Sequence, residues 1–535
     1  MLLIKELEHQ IMMEMEQARV PGLAIAIIHN KELIYANGFG VTSVQDPGVA
    51  ISPQTLFRIG SISKLFTSTL IMKLVENGLL DLDTPIINYI PWFSLQNSAY
   101  NGLLTLRTLL SHSAGFSNGG DYLGSRESDG LRRHVSEELS KMKLMAPPGK
   151  LHTYSNFHYN LAGCVAEEVT GKTFATLMQE LVFSPLKMNS STYDPLFAMT
   201  HSLALPHYID DDQICVLHRF LENTAYYPSF FAMSTVTDLA KFALLHMNKG
   251  CYLGKQLLQS ESIQQMHEYN TPLYNTYQSG FGLGFFLQET ENGLRISRHF
   301  GDISSYSADF VMHTEAGSAV IILNNRPFQH DKITRLVFDQ LQLPHSHVKT
   351  SKELFKGSSN EEDCLGIAGT FFGTNVGIAE ITKEDQSLLI LNNQRIRLQI
   401  KTSDFLQGYD EEGNHVMNMG VIREEDGCVQ YLMINNNRCH RYLMPSGRTS
   451  LSEEALEACC GTYSHHGFPD WVYHVTYQDN KLIMEEDGIT DILIPIEHGL
   501  FVSDTFKSVQ FHIDEQGQVP YFYLHGTWKM ERLHR

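Results

Sequence analysis

The chain has 535 residues, 43% of them apolar and 19% charged, which is globular composition in a chain too long for a single core. A formal charge of −20 disfavours nucleic acid and anionic membranes as partners, because either would require a basic face. No apolar run approaches the roughly 18 residues that span a bilayer, so no membrane span is expected.

The opening stretch, "MLLIKELEHQIMMEMEQARVPG", carries acids among its apolar positions and lacks a small-residue cleavage site. It reads as an amphipathic helix with Leu3, Leu7, Ile11 and Met15 on one stripe, not as a secretory signal. Eight scattered cysteines with no repeated framework read as free thiols in a reducing compartment, so the expected localisation is cytoplasmic. A periplasmic or secreted protein that has lost its leader is the alternative.

Next, "GLAIAIIHNKELIYANGFGVTSV" reads as a β-hairpin around a short polar turn. "LFTSTLIMKLVENG" has helical spacing and a helix-ending glycine at Gly78. Further helices are expected at "TLRTLLSHSAGF", "NLAGCVAEEVTGKTFATLMQEL" and "TVTDLAKFALLHMNKG". From about Tyr277 the period shortens towards two, through "SGFGLGFFLQET", "RISRHFGD", "SADFVMHTEA" and "SAVIILNN". A hairpin, a helical middle and returning strands describe an α/β (α+β) sandwich around an antiparallel sheet, spanning residues 1–345.

Residues 346–362 are polar and charged and read as a linker. Beyond them come short β runs in two similar units, 363–447 and 452–535. Gly369-Thr370-Phe371 answers Gly461-Thr462-Tyr463, and each unit closes on a similar strand, "GCVQYLMI" or "GQVPYFYL". Two small all-β antiparallel barrels are expected, the alternative being two halves of one larger sandwich.

The chemistry concentrates in three places. In "FRIGSISKLFTS", Ser61 and Lys64 lie one helical turn apart at the head of an apolar run. A lysine with a free pKa of about 10.4 accepts a hydroxyl proton only where burial or a second cation lowers that value. A second Ser-x-x-Lys, at Ser140, lies in a charged stretch and reads as a solvated helix face. In "PPGKLHTYSNFHYNLAG", Tyr154 and Asn156 are placed in an extended stretch with their side chains on one side. The phenol can shuttle protons, ionising early beside an ammonium, and the carboxamide can hold Lys64 and a substrate carbonyl. In "RHFGDISSYSADF", His299 and Gly301 lie on a strand, the glycine admitting close backbone approach.

Ser61-x-x-Lys64, Tyr154-x-Asn156 and His299-x-Gly301, in this order, resemble the three motifs of the penicillin-recognising serine hydrolases. That superfamily includes class C β-lactamases, DD-peptidases (peptidase S12-like), D-aminopeptidases and β-lactamase-fold esterases. "LTLRTLLSHSAGF", "STVTDLAKF" and "FGLGFF" extend the resemblance over residues 20–330. It implies a β-lactamase/transpeptidase-like fold with Ser61 as acylated nucleophile, Lys64 as its proton acceptor and Tyr154 as acid/base for the leaving group. Asn156 would position Lys64 and substrate, and the N–H groups of Ser61 and Asp302 would form an oxyanion hole beside Gly301. His299 would stand where many relatives have the lysine of a Lys-Thr-Gly triad. A partly charged histidine there is typical of D-aminopeptidase- and esterase-like members. A hydrolase domain followed by two β units also resembles bacterial D-aminopeptidase, with its two eight-stranded barrels of lipocalin-like type. Two departures stand out: Ser305 in place of a glycine after His-x-Gly, and Phe230-Phe231 where relatives often have Gly-Gly, suggesting a more aromatic rim.

The remaining signals read as structural. His112 reads as a histidine satisfied by backbone groups. The pairs His345/His347 and His465/His466 lack ligand-spaced partners, so neither a metal nor another cofactor is expected. Gly280, Gly282 and Gly284 lack the lysine and the strand-to-helix switch of a nucleotide loop. The C-terminal aromatics Trp471, Tyr473, Tyr521, Phe522, Tyr523 and Trp528 read as barrel core. The expected function is a serine hydrolase acting through an acyl-enzyme on amides or esters of small or short-peptide substrates, D-aminopeptidase-like. An esterase or a β-lactamase is the alternative within the class, and a catalytically idle, filament-forming scaffold is the alternative outside it. A homo-oligomer is compatible with all of these.

Overall fold

A computed structural model describes residues 2–343, 367–441 and 451–533. Short stretches at 121–122, 211, 219–220, 275–278, 291–292, 374–375, 385, 392–393, 425, 466–467, 487, 498, 504–506, 515 and 525–527 are excepted. The expected linker at 346–362 lies outside the described residues, as do His345, His347 and His466. The chain divides into two compact units, residues 1–116, 120–272 and 278–350 in one and chiefly 351–535 in the other.

The first unit is built on an eight-stranded sheet. Its strands are β1 (Gly22–His29), β2 (Glu32–Gly40), β3 (Thr271–Leu273), β4 (Ser279–Phe281), β5 (Phe286–Glu289), β6 (Arg295–Ile303), β7 (Tyr306–His313) and β8 (Ser318–Asn324), in the order β2-β1-β8-β7-β6-β5-β4-β3. The pairings of β1 with β2 and β8, and those from β8 through β4, are antiparallel. The hairpin turn places Asn30 and Lys31 at φ 52° and 62°, the two consecutive left-handed residues of a type I′ turn. Buried strands β1, β7 and β8 carry almost continuous apolar runs because both sheet faces are covered. On one face lie α1 (Ile4–Gln17), which buries Leu7, Ile11 and Met15, and a C-terminal helix, Asp331–Gln340. Leu3 falls outside the expected stripe, at the helix cap and 56% exposed.

The other face carries the larger core, centred on α2 (Ser63–Glu76). This helix is buried nearly all round. Its small polar residues are tolerated because they bond within the helix or to a neighbour: Thr69 Oγ1 donates to Leu65 O at 2.9 Å and Thr67 Oγ1 to Pro228 O at 2.6 Å. Gly78, at φ 72°, closes the helix as expected, with Leu79 N–H donating to Leu74 O at 3.0 Å.

Two expected helices are shorter than their sequence suggests. In "TLRTLLSHSAGF" only α3 (Leu106–Leu110) is helical, because His112 and Gly115 adopt φ 55° and 87°. The run from Asn156 breaks at Gly171, φ 66°, into α4 (Asn156–Thr170) and α5 (Phe174–Met178), the latter capped by Thr173.

In the second unit the chain forms two closed barrels of eight consecutive strands each. Gly369–Gly373 and Gly461–His465, the two "GT" segments, open them. The strands expected to close each unit are followed by one more, Asn437–Arg441 or Trp528–Arg532, and this last strand pairs back to the first. Closure removes the free edges that two half-sandwiches would leave. The described interiors are packed with side chains, Tyr473 and Phe522 among them, whereas Tyr521 and Tyr523 are only half-buried. The side chain of Trp528 lies outside the described residues. Among the described residues, no helix is long and apolar enough to cross a membrane.

Phe66 anchors α2, meeting Phe183 and Phe242 edge-on at 5.2 and 5.0 Å. Phe66→Ala is expected to destabilise the first unit by about 3–5 kcal/mol, read as a lowered midpoint in urea unfolding. A shift below about 1 kcal/mol would show that the core collapses freely around this position.

Candidate active site

Three segments converge at the head of α2. Ser61 sits in a 3₁₀ turn, Gly60–Ile62, that runs directly into α2, so Lys64 lies one turn on as expected. The turn is tied down by Ser63 Oγ, which donates to Gly60 O at 2.7 Å and accepts from Ala232 N–H at 3.1 Å. Tyr154 precedes α4, and Asn156 is the first residue of that helix rather than part of an extended stretch. The two side chains still meet at one place, because Ser155 between them is the extended cap residue.

Lys64 is fully buried. Its Nζ lies 2.9 Å from Ser61 Oγ, 2.7 Å from Asn156 Oδ1 and 2.9 Å from the Ser229 carbonyl. Burial holds its pKa well below the usual lysine value of 10.5, which favours the uncharged amine, a form with two N–H bonds and one lone pair. Asn156 Oδ1 and Ser229 O can only accept, and therefore they take the two N–H bonds. The third contact runs from Nζ to Ser61 Oγ, and in the amine form that position holds the lone pair, free to receive the Ser61 proton.

Tyr154 is hydrogen-bonded to Ser61. Burial raises its pKa, and the Asp302 carboxylate adds to the rise. Taken alone, the Ser61 contact lowers the phenol's pKa. This corrects the expectation of an early-ionising phenol: burial outweighs the Ser61 contact, so Tyr154 rests protonated.

β6 brings His299, Gly301 and Asp302 against the Ser61 turn. A Cβ on Gly301 would lie 2.0 Å from Ile59 O and 3.1 Å from Ser61 N, and one on Gly60 would lie 2.5 Å from Asp302 N. Only glycine at both positions lets the two backbones approach closely enough to bring the N–H groups of Ser61 and Asp302 together.

His299 is fully buried, with Nδ1 2.7 Å from Phe300 O. That carbonyl can only accept, so Nδ1 carries the proton and Nε2 is a bare acceptor with no partner among the described residues. Burial, and secondarily Lys64, pushes the pKa to about 3. The expected partly charged histidine is thus a neutral one. The surroundings are aromatic: Phe286 lies 5.3 Å from His299, 5.3 Å from Phe300 and 6.1 Å from Tyr154.

Other expectations resolve differently. Phe230 and Phe231 are buried, at 3% and 1% exposure, so they pack in the core instead of forming an exposed rim. Ser140, the second Ser-x-x-Lys, follows a short helix with its Oγ donating to Ser136 O at 2.6 Å, and Lys143 is exposed. The three glycines at 280, 282 and 284 belong to β4 and the turn into β5. The sequence reading missed Ser229, whose backbone carbonyl completes the Lys64 site. No side-chain signal marks a carbonyl, although its neighbour Pro228 hints at a bent main chain.

A family model described as Beta-lactamase matches residues 7–342. Penicillin-binding protein 4 of Amycolatopsis lactamdurans is 27% identical over 277 residues, which cover 50% of this chain and 72% of that one. Protein flp of Staphylococcus aureus (strain MW2) is 23% identical over 318 residues, 58% of this chain, and the match spans only 61% of flp. Among solved structures, the octameric penicillin-binding protein homologue from Pyrococcus abyssi aligns over 82% of this chain and 100% of its own, with TM-score 0.56 and 22% identity. SurE aligns over 82% and 98%, with TM-score 0.62 and 20% identity. These last two share the fold. With its sandwich of helices on an antiparallel sheet and a family match over well more than half its length, the chain belongs to the Beta-lactamase family.

Proposed function

We propose that the chain is a cofactor-free serine hydrolase that works through an acyl-enzyme on Ser61 and cleaves amide or ester bonds of small or short-peptide substrates. The observation that carries this reading is the bonding of Lys64. Two acceptors hold its nitrogen at 2.7 and 2.9 Å while burial disfavours its charge, so that the amine's lone pair is available to the Ser61 hydroxyl 2.9 Å away. As Ser61 Oγ attacks the carbonyl, its proton passes to Lys64. Tyr154, held as a phenol, donates its proton to the departing nitrogen or oxygen. The N–H groups of Ser61 and Asp302 face the developing oxyanion. Asn156 holds the amine in place. Water then releases the acyl group by the reverse sequence of proton transfers.

The neutral His299 favours a D-aminopeptidase-like or esterase-like substrate over a β-lactam. In place of a fixed cation, the site offers an imidazole acceptor, which gives a substrate carboxylate no ion pair. Seven described cysteines are free thiols, in keeping with a reducing compartment such as the cytoplasm. The octameric Pyrococcus abyssi homologue supports a homo-oligomeric assembly for this chain as well.

A fluorophosphonate probe with intact-mass readout tests the reading: the wild type should gain one adduct, while Ser61→Ala should gain none and stay folded. An unlabelled wild type would favour an idle scaffold. The pH profile of kcat/KM has a defined direction. Protonated Lys64 is inactive, so the rate should rise as Lys64 loses its proton and level off well below 10.5, the ordinary lysine value. His299, already deprotonated above about 3, should add no inflection between about pH 5 and pH 8. A plateau reached only above about pH 10 would mean that the amine is charged at rest. Finally, His299→Lys should shift preference towards carboxylate-bearing substrates by about fivefold, from an ion pair of about 1 kcal/mol. Vigorous wild-type penicillinase activity at pH 8 would show that carboxylate recognition does not depend on this position.

A further inference from the structure

His112 grips both neighbours of Tyr154. It closes the turn after α3 in a left-handed conformation, φ 55°, and is fully buried. Its carbonyl accepts from Thr153 N–H at 2.6 Å, and its Nδ1 accepts from Ser155 N–H at 3.2 Å. Its ring lies 4.3 Å from the Tyr154 ring, with the planes inclined at 40°. The phenol is therefore fixed through the residue before it, the residue after it and its own ring face.

A second histidine settles the tautomer. His158 Nε2 accepts from Phe116 N–H at 3.2 Å, so its proton sits on Nδ1, which donates to His112 Nδ1 at 3.1 Å. His112 Nδ1 thus accepts twice and the His112 ring proton is on Nε2. Burial holds both imidazoles neutral, as this chain of bonds requires, since a second proton on either ring would set two donors face to face.

We propose that His112 is a positioning residue for the leaving-group acid: with His158 fixing its tautomer, it aims the Tyr154 hydroxyl at Ser61. This rests on the reading of Tyr154 as the proton donor and extends it to a residue that touches neither the nucleophile nor the substrate.

The test uses two substrates with the same acyl group, a p-nitrophenyl ester, whose leaving group departs without a proton, and the matching p-nitroanilide, whose leaving group needs one. His112→Leu removes the acceptor. His112→Asn places Oδ1 where Nδ1 was, and asparagine tolerates the left-handed backbone. In the full-length protein, His112→Leu should lose about 100-fold in kcat/KM on the anilide, the size of effect that follows from misplacing a catalytic group by about an ångström. On the ester the loss should stay within about threefold. His112→Asn should recover most of the anilide rate. If His112→Leu does not fold, His112→Gln, whose amide reaches the Nε2 position and not Nδ1, serves the same comparison. Equal losses on both substrates, or an unchanged anilide rate, in a variant that still takes the fluorophosphonate would overturn the inference while leaving the serine mechanism intact. A wild type that the probe does not label would overturn the underlying reading and this inference with it.

Discussion

A buried lysine nitrogen whose charged form is disfavoured is the constraint around which the first unit is arranged. Carrying a lysine side chain into the interior costs several kcal/mol if the ammonium goes with it. Here burial lowers the pKa well below the ordinary lysine value, and the nitrogen's polarity is met by three oxygens within 2.9 Å. Each requirement reaches into a different element. The lysine needs a helix buried on nearly all sides, and α2 meets that need with its hydroxyls bonded within the helix or to a neighbouring segment. The carboxamide needs a helix start, supplied by the cap at Ser155. The carbonyl comes from a four-residue helix, Tyr227–Phe230, too short to use Ser229 O itself. Had any of the three moved, an unpaired buried group would remain, and such groups are costly enough to reshape a core.

The second constraint is steric. The Ser61 turn and β6 meet backbone to backbone, with room for no Cβ at Gly60 or Gly301. A main-chain donor pair at such a meeting point, as proposed for Ser61 and Asp302, needs no side-chain ordering at the moment of reaction, which is what electrostatic preorganisation requires. The sheet supplies the rigidity, since β6 is paired along its length with β7.

Buried histidines are a recurring element of the unit, and they serve as neutral hydrogen-bonding groups. Beyond His112, His158 and His299, a further pair runs from His246 through His267 to Ser297, at 3.0 and 2.8 Å. In each case burial disfavours the charged imidazole and at least one ring nitrogen is hydrogen-bonded. The same burial that lowers the Lys64 pKa turns His299 from an expected partial cation into an acceptor. One dry environment sets both properties.

What the sequence by itself determined is whatever depends on local geometry. The hairpin follows from two β-rich runs around Asn30-Lys31, and the helix end follows from Gly78. The Ser61–Lys64 adjacency follows from one helical turn, and the paired barrels follow from the "GT" repeats. Local signals failed where a left-handed residue interrupted a helical pattern, as at His112, because apolar spacing continues through a backbone break. The chemical state of the site was decided only by the tertiary structure. Asn156 and Ser229 lie 92 and 165 residues from Lys64, and His112 lies 43 from the Ser155 N–H it accepts. Protonation follows from desolvation and from the full set of hydrogen-bond partners, and both are properties of a closed interior. A motif can therefore name the lysine, the tyrosine and the histidine, but the fold alone sets which of them carries a proton and which accepts one.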